Sequence, residues 1–171
     1  MRREPIDPEG IVWSRVSPKY LRVRLIGWFV GSVIYLLIFS IPLILRLAGV
    51  WPDFPPLAIA IALPAVVLLI SVWRVLLLPR QVRALGYAER DDDLLIRSGV
   101  IFQRTLVVPY GRMQYVDVAV GPLERAFGLC TLKLHTASPA TNAAIPGLPA
   151  TEGARLREQL SSRGEARLAG L

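Results

Sequence analysis

Residues 25–45, LIGWFVGSVIYLLIFSIPLIL, form an apolar run of 21 residues without a charged side chain, and a second run, 57–73, follows after a short break. A helix rises about 1.5 Å per residue, so roughly 20 apolar residues cross the roughly 30 Å hydrocarbon core of a bilayer. The second run continues past Arg74 to Leu78, and an arginine near a span end can reach the headgroups along its aliphatic stem. The pattern predicts a two-helix transmembrane hairpin. Segment 1–24 is a basic N-terminal stretch, 25–45 and 57–78 are the spans, and 46–56 is a short external turn.

Beyond Leu78 the period shortens, and 81–163 reads as a small β-rich domain followed by a frayed tail, 164–171. Strands are expected over 83–90, 94–98, 100–108, 114–120, 129–136 and 143–145, the third rich in β-branched and aromatic residues. Asp91, Asp92 and Asp93 suit a tight turn between the first two, and Pro109, Tyr110 and Gly111 turn the chain again. Over 114–120 the alternation puts Tyr115, Asp117 and Ala119 on one face and Val116, Val118 and Val120 on the other, so one face is buried. Residues 121–128 start with Gly121-Pro122 and end in Gly128, the marks of a short helical turn. A last helix is expected over 151–163, capped by Thr151 and stopped near Gly164, with Ala154, Leu156 and Leu160 as its apolar contacts.

The net charge is +7, and all but two of the 20 basic residues are arginine. Arg2, Arg3, Arg15, Lys19, Arg22 and Arg24 precede the first span, Arg74, Arg80 and Arg83 end the second, and the intervening turn holds only Arg46 and Asp53. Positive charge beside span ends stays inside the cell, so a multi-pass protein of the cell membrane with both termini cytoplasmic is expected. A cleaved signal peptide is excluded by length, because signal cores run about 7–15 apolar residues. The single cysteine, Cys130, forms no internal disulfide and suits a reducing compartment.

Several function classes drop out. Neither span carries Asp, Glu, Lys, Arg or His before Arg74, so an ion or proton path lacks its usual relay, and Pro42 and Pro64 are ordinary in membrane helices. The small residues Gly27, Gly31, Ser40, Ala58, Ala60, Ala62 and Ala65 allow close helix approach, within the hairpin or with another membrane protein. A pI near 10.3 would point to nucleic acid in a soluble chain; here much of the excess is juxtamembrane arginine facing an anionic leaflet, and no nucleic-acid partner is expected. Catalysis lacks an inventory: Cys130 and His135 fall on opposite faces of one strand, and no glycine-rich phosphate loop ending in Lys-Ser/Thr occurs. The three aspartates lack the glycine bend and distal glutamate of a calcium loop, and His135 stands without ligand partners, so no metal or cofactor is expected.

Four stretches in order carry a family likeness: Leu95-Ile-Arg-Ser-Gly-Val-Ile101, Val108-Pro-Tyr-Gly-Arg-Met-Gln-Tyr-Val-Asp117, Gly121-Pro-Leu-Glu-Arg-Ala-Phe-Gly-Leu129, and Leu134-His-Thr-Ala137 ahead of Ile145-Pro-Gly-Leu148. Over residues 20–163 the chain resembles the bacterial pleckstrin-homology-like (PH-like) membrane proteins of the YdbS-like group. The resemblance implies a membrane-anchored α+β protein. Its hairpin is followed by an antiparallel PH-like barrel or sandwich closed by the C-terminal helix, and no catalytic residues are implied. A larger membrane protein with repeated copies of the domain is the partner implied.

Arg112 and Gln114, at a strand entrance, can grip a carboxylate or phosphate, or else fix the turn; Arg125, in the helical turn, can hold an anionic headgroup. Two functions follow. The first is a non-enzymatic scaffold that assembles with another membrane protein or with itself at the inner leaflet. The second is an anionic-lipid sensor acting through Arg97, Arg104 or Arg112, which the three aspartates of the first hairpin disfavour.

Overall fold

The computed structural model describes residues 11–51, 54–137 and 142–168. Of these, Arg24–Pro79 form one compact unit, and the residues up to Val23 together with those from Arg80 onward form another.

The first unit holds most of two helices, α1 (Lys19–Leu47) and α2 (Leu57–Arg83), both long and apolar enough to cross a membrane. They outrun the expected spans at their polar ends, where hydrogen bonding continues into water. Helix α1 starts at Ser17-Pro18: the Ser17 hydroxyl accepts from Lys19 N–H at 3.3 Å, and proline supplies a pre-set φ. Helix α2 runs through Pro64 and Pro79 to Arg83, so residues 83–85 are not strand as expected. Ala84 N–H and Leu85 N–H donate back to the carbonyls of Arg80 and Val82, and β-structure begins only at Gly86.

The globular unit contains two antiparallel sheets. Strands β1 (Ser14–Arg15), β2 (Gly86–Glu89), β3 (Asp93–Ser98) and β4 (Arg104–Pro109) form the first in that order. Strands β5 (Met113–Ala119), β6 (Leu129–Thr136) and β7 (Ala143–Pro149) form the second. A 3₁₀ turn, Tyr110–Arg112, connects the sheets, and helix α3 (Pro122–Ala126) connects β5 to β6. Of the expected barrel or sandwich, the described residues show two antiparallel sheets with no strand pairing between them. The chain leaves β4 at Pro109, which has no N–H for a ladder, and buried Tyr110 fills the corner.

One apolar core lies within this unit. It joins Tyr87, Leu94, Ile96 and Val108 of the first sheet to Leu132, Leu134, Ile145 and Leu148 of the second. Helix α4 (Ala150–Leu168) adds Leu156 and Leu160, both fully buried. It continues through Gly164, where a stop was expected, and its third inward position is Gly153 rather than Ala154, which is exposed. A Cβ on Gly153 would stand 2.2 Å from Cys130 Sγ, so the helix rests on the thiol only because the position is glycine. Residues 169–171 of the expected tail, and 1–10 of the basic segment, lie outside the described residues.

Segment 11–23 is part of the globular unit rather than a free tail. Ser14 and Arg15 pair with Tyr87 and Gly86, and Val16, Tyr20 and Val23 enter the core. Ser17 N–H donates to the Gly147 carbonyl at 2.9 Å, and the Tyr20 ring covers Gly147, whose φ is +72°. Strand β7 therefore runs to Pro149, longer than the expected 143–145.

Candidate functional site

The five arginine and glutamine candidates do not converge. Arg97 and Arg104 share the end of the β3–β4 hairpin, with Arg97 opposite Thr105 and Ser98 opposite Arg104, and the Arg97 guanidinium lies 4.5 Å from the Trp13 ring centroid. Arg112 and Gln114 are exposed beyond the other end of β4, at the entrance to β5. Six residues of β4 at about 3.3 Å each separate the two groups. Arg125 is exposed on α3, beyond the opposite end of β5 from Arg112 and Gln114.

The neighbour of Arg125 does the structural work in that turn. Glu124 accepts from Gly121 N–H at 2.9 Å and from the Thr131 hydroxyl at 2.7 Å, which fastens α3 to β6 and explains the Gly-Pro-Leu-Glu sequence. His135 stacks on Tyr115, ring centroids 4.3 Å apart, on the outer face of the second sheet, while Cys130 is buried on the inner face. Among the described residues no three His, Cys, Asp or Glu side chains are placed to hold a metal ion.

The acidic turn is less repellent than its sequence suggests. Arg90 binds Asp93 through two parallel N–H···O contacts, a fork that neutralises one of the three carboxylates. Tyr110 and Arg163 both donate to the Arg90 carbonyl at 2.8 Å, tying this turn to α4. A second clasp joins β2 to α4: the Tyr87 hydroxyl donates to Glu152 at 2.8 Å, and Arg155 reaches Glu89 at 2.6 Å and Glu152 at 2.7 Å. Hydrogen bonds from Arg155 hold the Glu152 carboxyl below its usual range, while burial pushes the Tyr87, Tyr110 and Cys130 protons toward tighter retention.

These shifts fix the pH dependence of stability. The unfolded chain loses the Cys130 proton near pH 8.5 and those of Tyr87 and Tyr110 near pH 10, where the folded chain still binds them, so stability falls as pH rises through that range. On the acid side the folded Glu152 stays ionised below its ordinary value of about 4.3, and its contribution is lost as pH falls through that region. The thermal midpoint of the detergent-solubilised chain is expected to peak between about pH 5 and 8. Tyr87→Phe should flatten the alkaline arm; an arm unchanged by it would show that Tyr87 is not a source.

Two features escaped sequence reasoning. Residues 100–103, expected as strand, form the tip of the β3–β4 hairpin. Gly99 has φ +98°, and a Cβ there would lie 2.0 Å from the Phe102 carbonyl, so the chain must turn here. The turn leaves Ile101 82% and Phe102 89% exposed. The second feature is a groove of about 490 Å³ between the apolar helices, lined by Trp28, Ser32, Tyr35, Phe39, Val66 and Ser71 among others. Ser40 and Ser71 donate to the carbonyls one turn back, at 2.7 and 2.8 Å, whereas the Ser32 hydroxyl has no partner among the described residues. Nothing lies within 4 Å of where a Cβ on Gly31 would stand, so α2 does not fill the notch this glycine leaves.

With two long apolar helices, two antiparallel sheets and a C-terminal helix in place, comparison with known proteins decides the family. The sequence profile of the family described as bacterial PH domain matches residues 23–164. The chain belongs to the bacterial PH domain family. The "transmembrane protein YdbS" of Bacillus subtilis (strain 168) is 32% identical over 149 residues, covering 86% of this chain and 90% of that protein. Among solved structures, a DUF1696 family protein with a pleckstrin-homology domain from Shewanella loihica PV-4 covers 47% of this chain and 70% of its own, at 12% identity and a TM-score of 0.38. This member of the bacterial PH domain family is therefore a YdbS-like membrane protein with a PH-like domain. Neither the family's description nor the relative's name carries an enzymatic activity.

Proposed function

We propose that the protein is a non-enzymatic assembly scaffold of the bacterial cell membrane. Its hairpin crosses the bilayer twice, both termini face the cytoplasm, and its PH-like domain meets a partner membrane protein or a second copy of the chain at the inner leaflet. The carrying observation is the groove of about 490 Å³ between α1 and α2, which neither helix fills. Small residues along an apolar groove let a neighbouring helix approach closely and pack there. The open notch at Gly31 supports close approach by a further helix. The pairing of β1 with β2, on either side of the hairpin in sequence, supports an even number of crossings.

A headgroup sensor draws less support, because its arginines are spread over separate ends of the domain. Arg112 and Gln114 instead present a small polar patch for a partner's carboxylate.

A photo-crosslinking residue at Phe39, which lines the groove, should capture a membrane protein in native membranes, identifiable by mass spectrometry. The same group at Ile38, outside the lining, should capture several-fold less. Arg112→Glu should lower the Phe39 yield, as loss of a rim charge slows association. Crosslinks from Phe39 to lipid alone would overturn the scaffold reading.

A further inference from the structure

The apolar tip of the β3–β4 hairpin has no role in the fold and none in the assembly reading. Val100, Ile101 and Phe102 stand outside the core, and the latter two are more exposed than nearly any other apolar side chain of the globular unit. Solvated hairpin tips favour Gly, Asn, Asp and Ser; a Val-Ile-Phe tip in water has a hydration cost with no gain in turn geometry. Gly99 alone meets the conformational demand of the turn.

Register shows where this tip lies within its sheet. Gly86, the first residue of β2, pairs with Arg97, one residue from the end of β3. The tip therefore occupies the end of the first sheet at which the chain arrives from α2. Only Ala84 and Leu85 intervene between Arg83 and Gly86, and both amides bond back into the last helical turn. The turn containing Asp91 and Asp92 lies at the other end of the same strands. Apolar side chains thus mark the end of the sheet at which β2 begins, and acids mark the far end.

Charge follows the same polarity. Arg97 and Arg104 flank the tip, and Arg80 and Arg83 in the last turn of α2 shortly precede β2 in sequence. Arginine beside exposed aromatic and aliphatic side chains is the composition of a segment lying in a lipid interface, where the guanidinium meets phosphate and the apolar groups pass below it. A protein pocket would have to match the three apolar side chains in shape. A bilayer surface takes them without such a match, and its anionic headgroups complement the arginines.

We infer that Ile101 and Phe102 insert into the interface of the leaflet facing the domain, with Arg97 and Arg104 at its anionic headgroups. The occupant is the lipid surface itself rather than a single headgroup in a pocket. The hairpin tip is thus a second, reversible membrane contact beside the helices, and it fixes which end of the domain faces the bilayer. This contact is independent of the assembly reading, since it requires no partner.

The test uses the full chain reconstituted in vesicles of phosphatidylcholine and phosphatidylglycerol, where no partner is present. Cys130 is buried and its thiol proton is tightly held, so it stays unlabelled and single cysteines can be read in its presence. An environment-sensitive fluorophore is attached at Phe102→Cys, at Ile101→Cys and, as the distal control, at Asp91→Cys. At 101 and 102 the emission should shift to the blue and be lost on adding lipids with a nitroxide near the headgroup, while iodide in water should quench it about tenfold less than at 91, as expected for an apolar group transferred from water. At 91 the emission should remain that of a label in water. Water-like emission at both 101 and 102, with iodide quenching equal to that at 91, would overturn the inference. Shielding of the tip in native membranes but not in these vesicles would also overturn it, in favour of a protein contact.

Discussion

Gly147→Ala is expected to destabilise the globular unit by about 2–6 kcal/mol, through two penalties at one position. The backbone there has φ +72°, which costs a residue with a Cβ about 1–3 kcal/mol. The added methyl would lie 2.3 Å from Tyr20 Cγ and 2.6 Å from its Cβ, parts of a buried side chain that cannot swing aside while Ser17 stays bonded to the Gly147 carbonyl. Overpacking of this kind costs about 1–3 kcal/mol more. In thermal scans of the detergent-solubilised chain the midpoint should fall by roughly 10 °C or more. Gly147→Asn separates the causes, since asparagine tolerates positive φ but keeps the Cβ. Asparagine should rescue only a small part; a midpoint equal to that of the unchanged protein would rule out the clash with Tyr20. Gly31→Ala, in open space, should leave the midpoint nearly unchanged.

The same contact shows what the sequence could and could not disclose. The apolar helices were legible because a long uncharged run has few structural outcomes, and β5 and α3 were legible because alternation and a Pro-to-Gly frame mark them locally. Strand β1 was not, since two residues carry no period and its partner lies about 70 residues away. Gly147 reads as a turn glycine until Tyr20 is seen against it. Val100, Ile101 and Phe102 read as strand because their β-propensity is high, yet Gly99 turns the chain and leaves them without partners. Gly153 was passed over for Ala154 because an apolar pattern cannot show that a helix is held off or admitted by a thiol on another strand.

The candidate site was legible as residue types but not as a place. Arg97 and Arg104 meet at one hairpin end because of the β3–β4 register, and Arg112 and Gln114 are carried away from them by the length of β4. Register is a pairwise property of strands, and a list of arginines contains none of it. The acidic turn was read as three free charges, whereas Arg90, three residues before Asp93, folds back onto it.

Single cysteines at Ser14, Val50 and Asp117, all exposed positions, should give an all-or-none result with an impermeant thiol reagent: in intact cells only position 50 is labelled, and in opened membranes all three are. Two arguments meet in this expectation, and the outcomes separate them. Ser14 pairs with Tyr87, so positions 14 and 117 belong to one globular unit and must respond alike whichever way the hairpin inserts. The arginines set the direction, because Arg15, Lys19, Arg22, Arg24, Arg74, Arg80 and Arg83 flank the outer ends of the helices while Arg46 alone among the described residues carries charge at the turn. Labelling of 14 and 117 without 50 would leave the pairing intact and overturn the charge argument. Labelling of 14 without 117 would break the globular unit itself, since two sheets that share one core cannot lie on opposite sides of a bilayer.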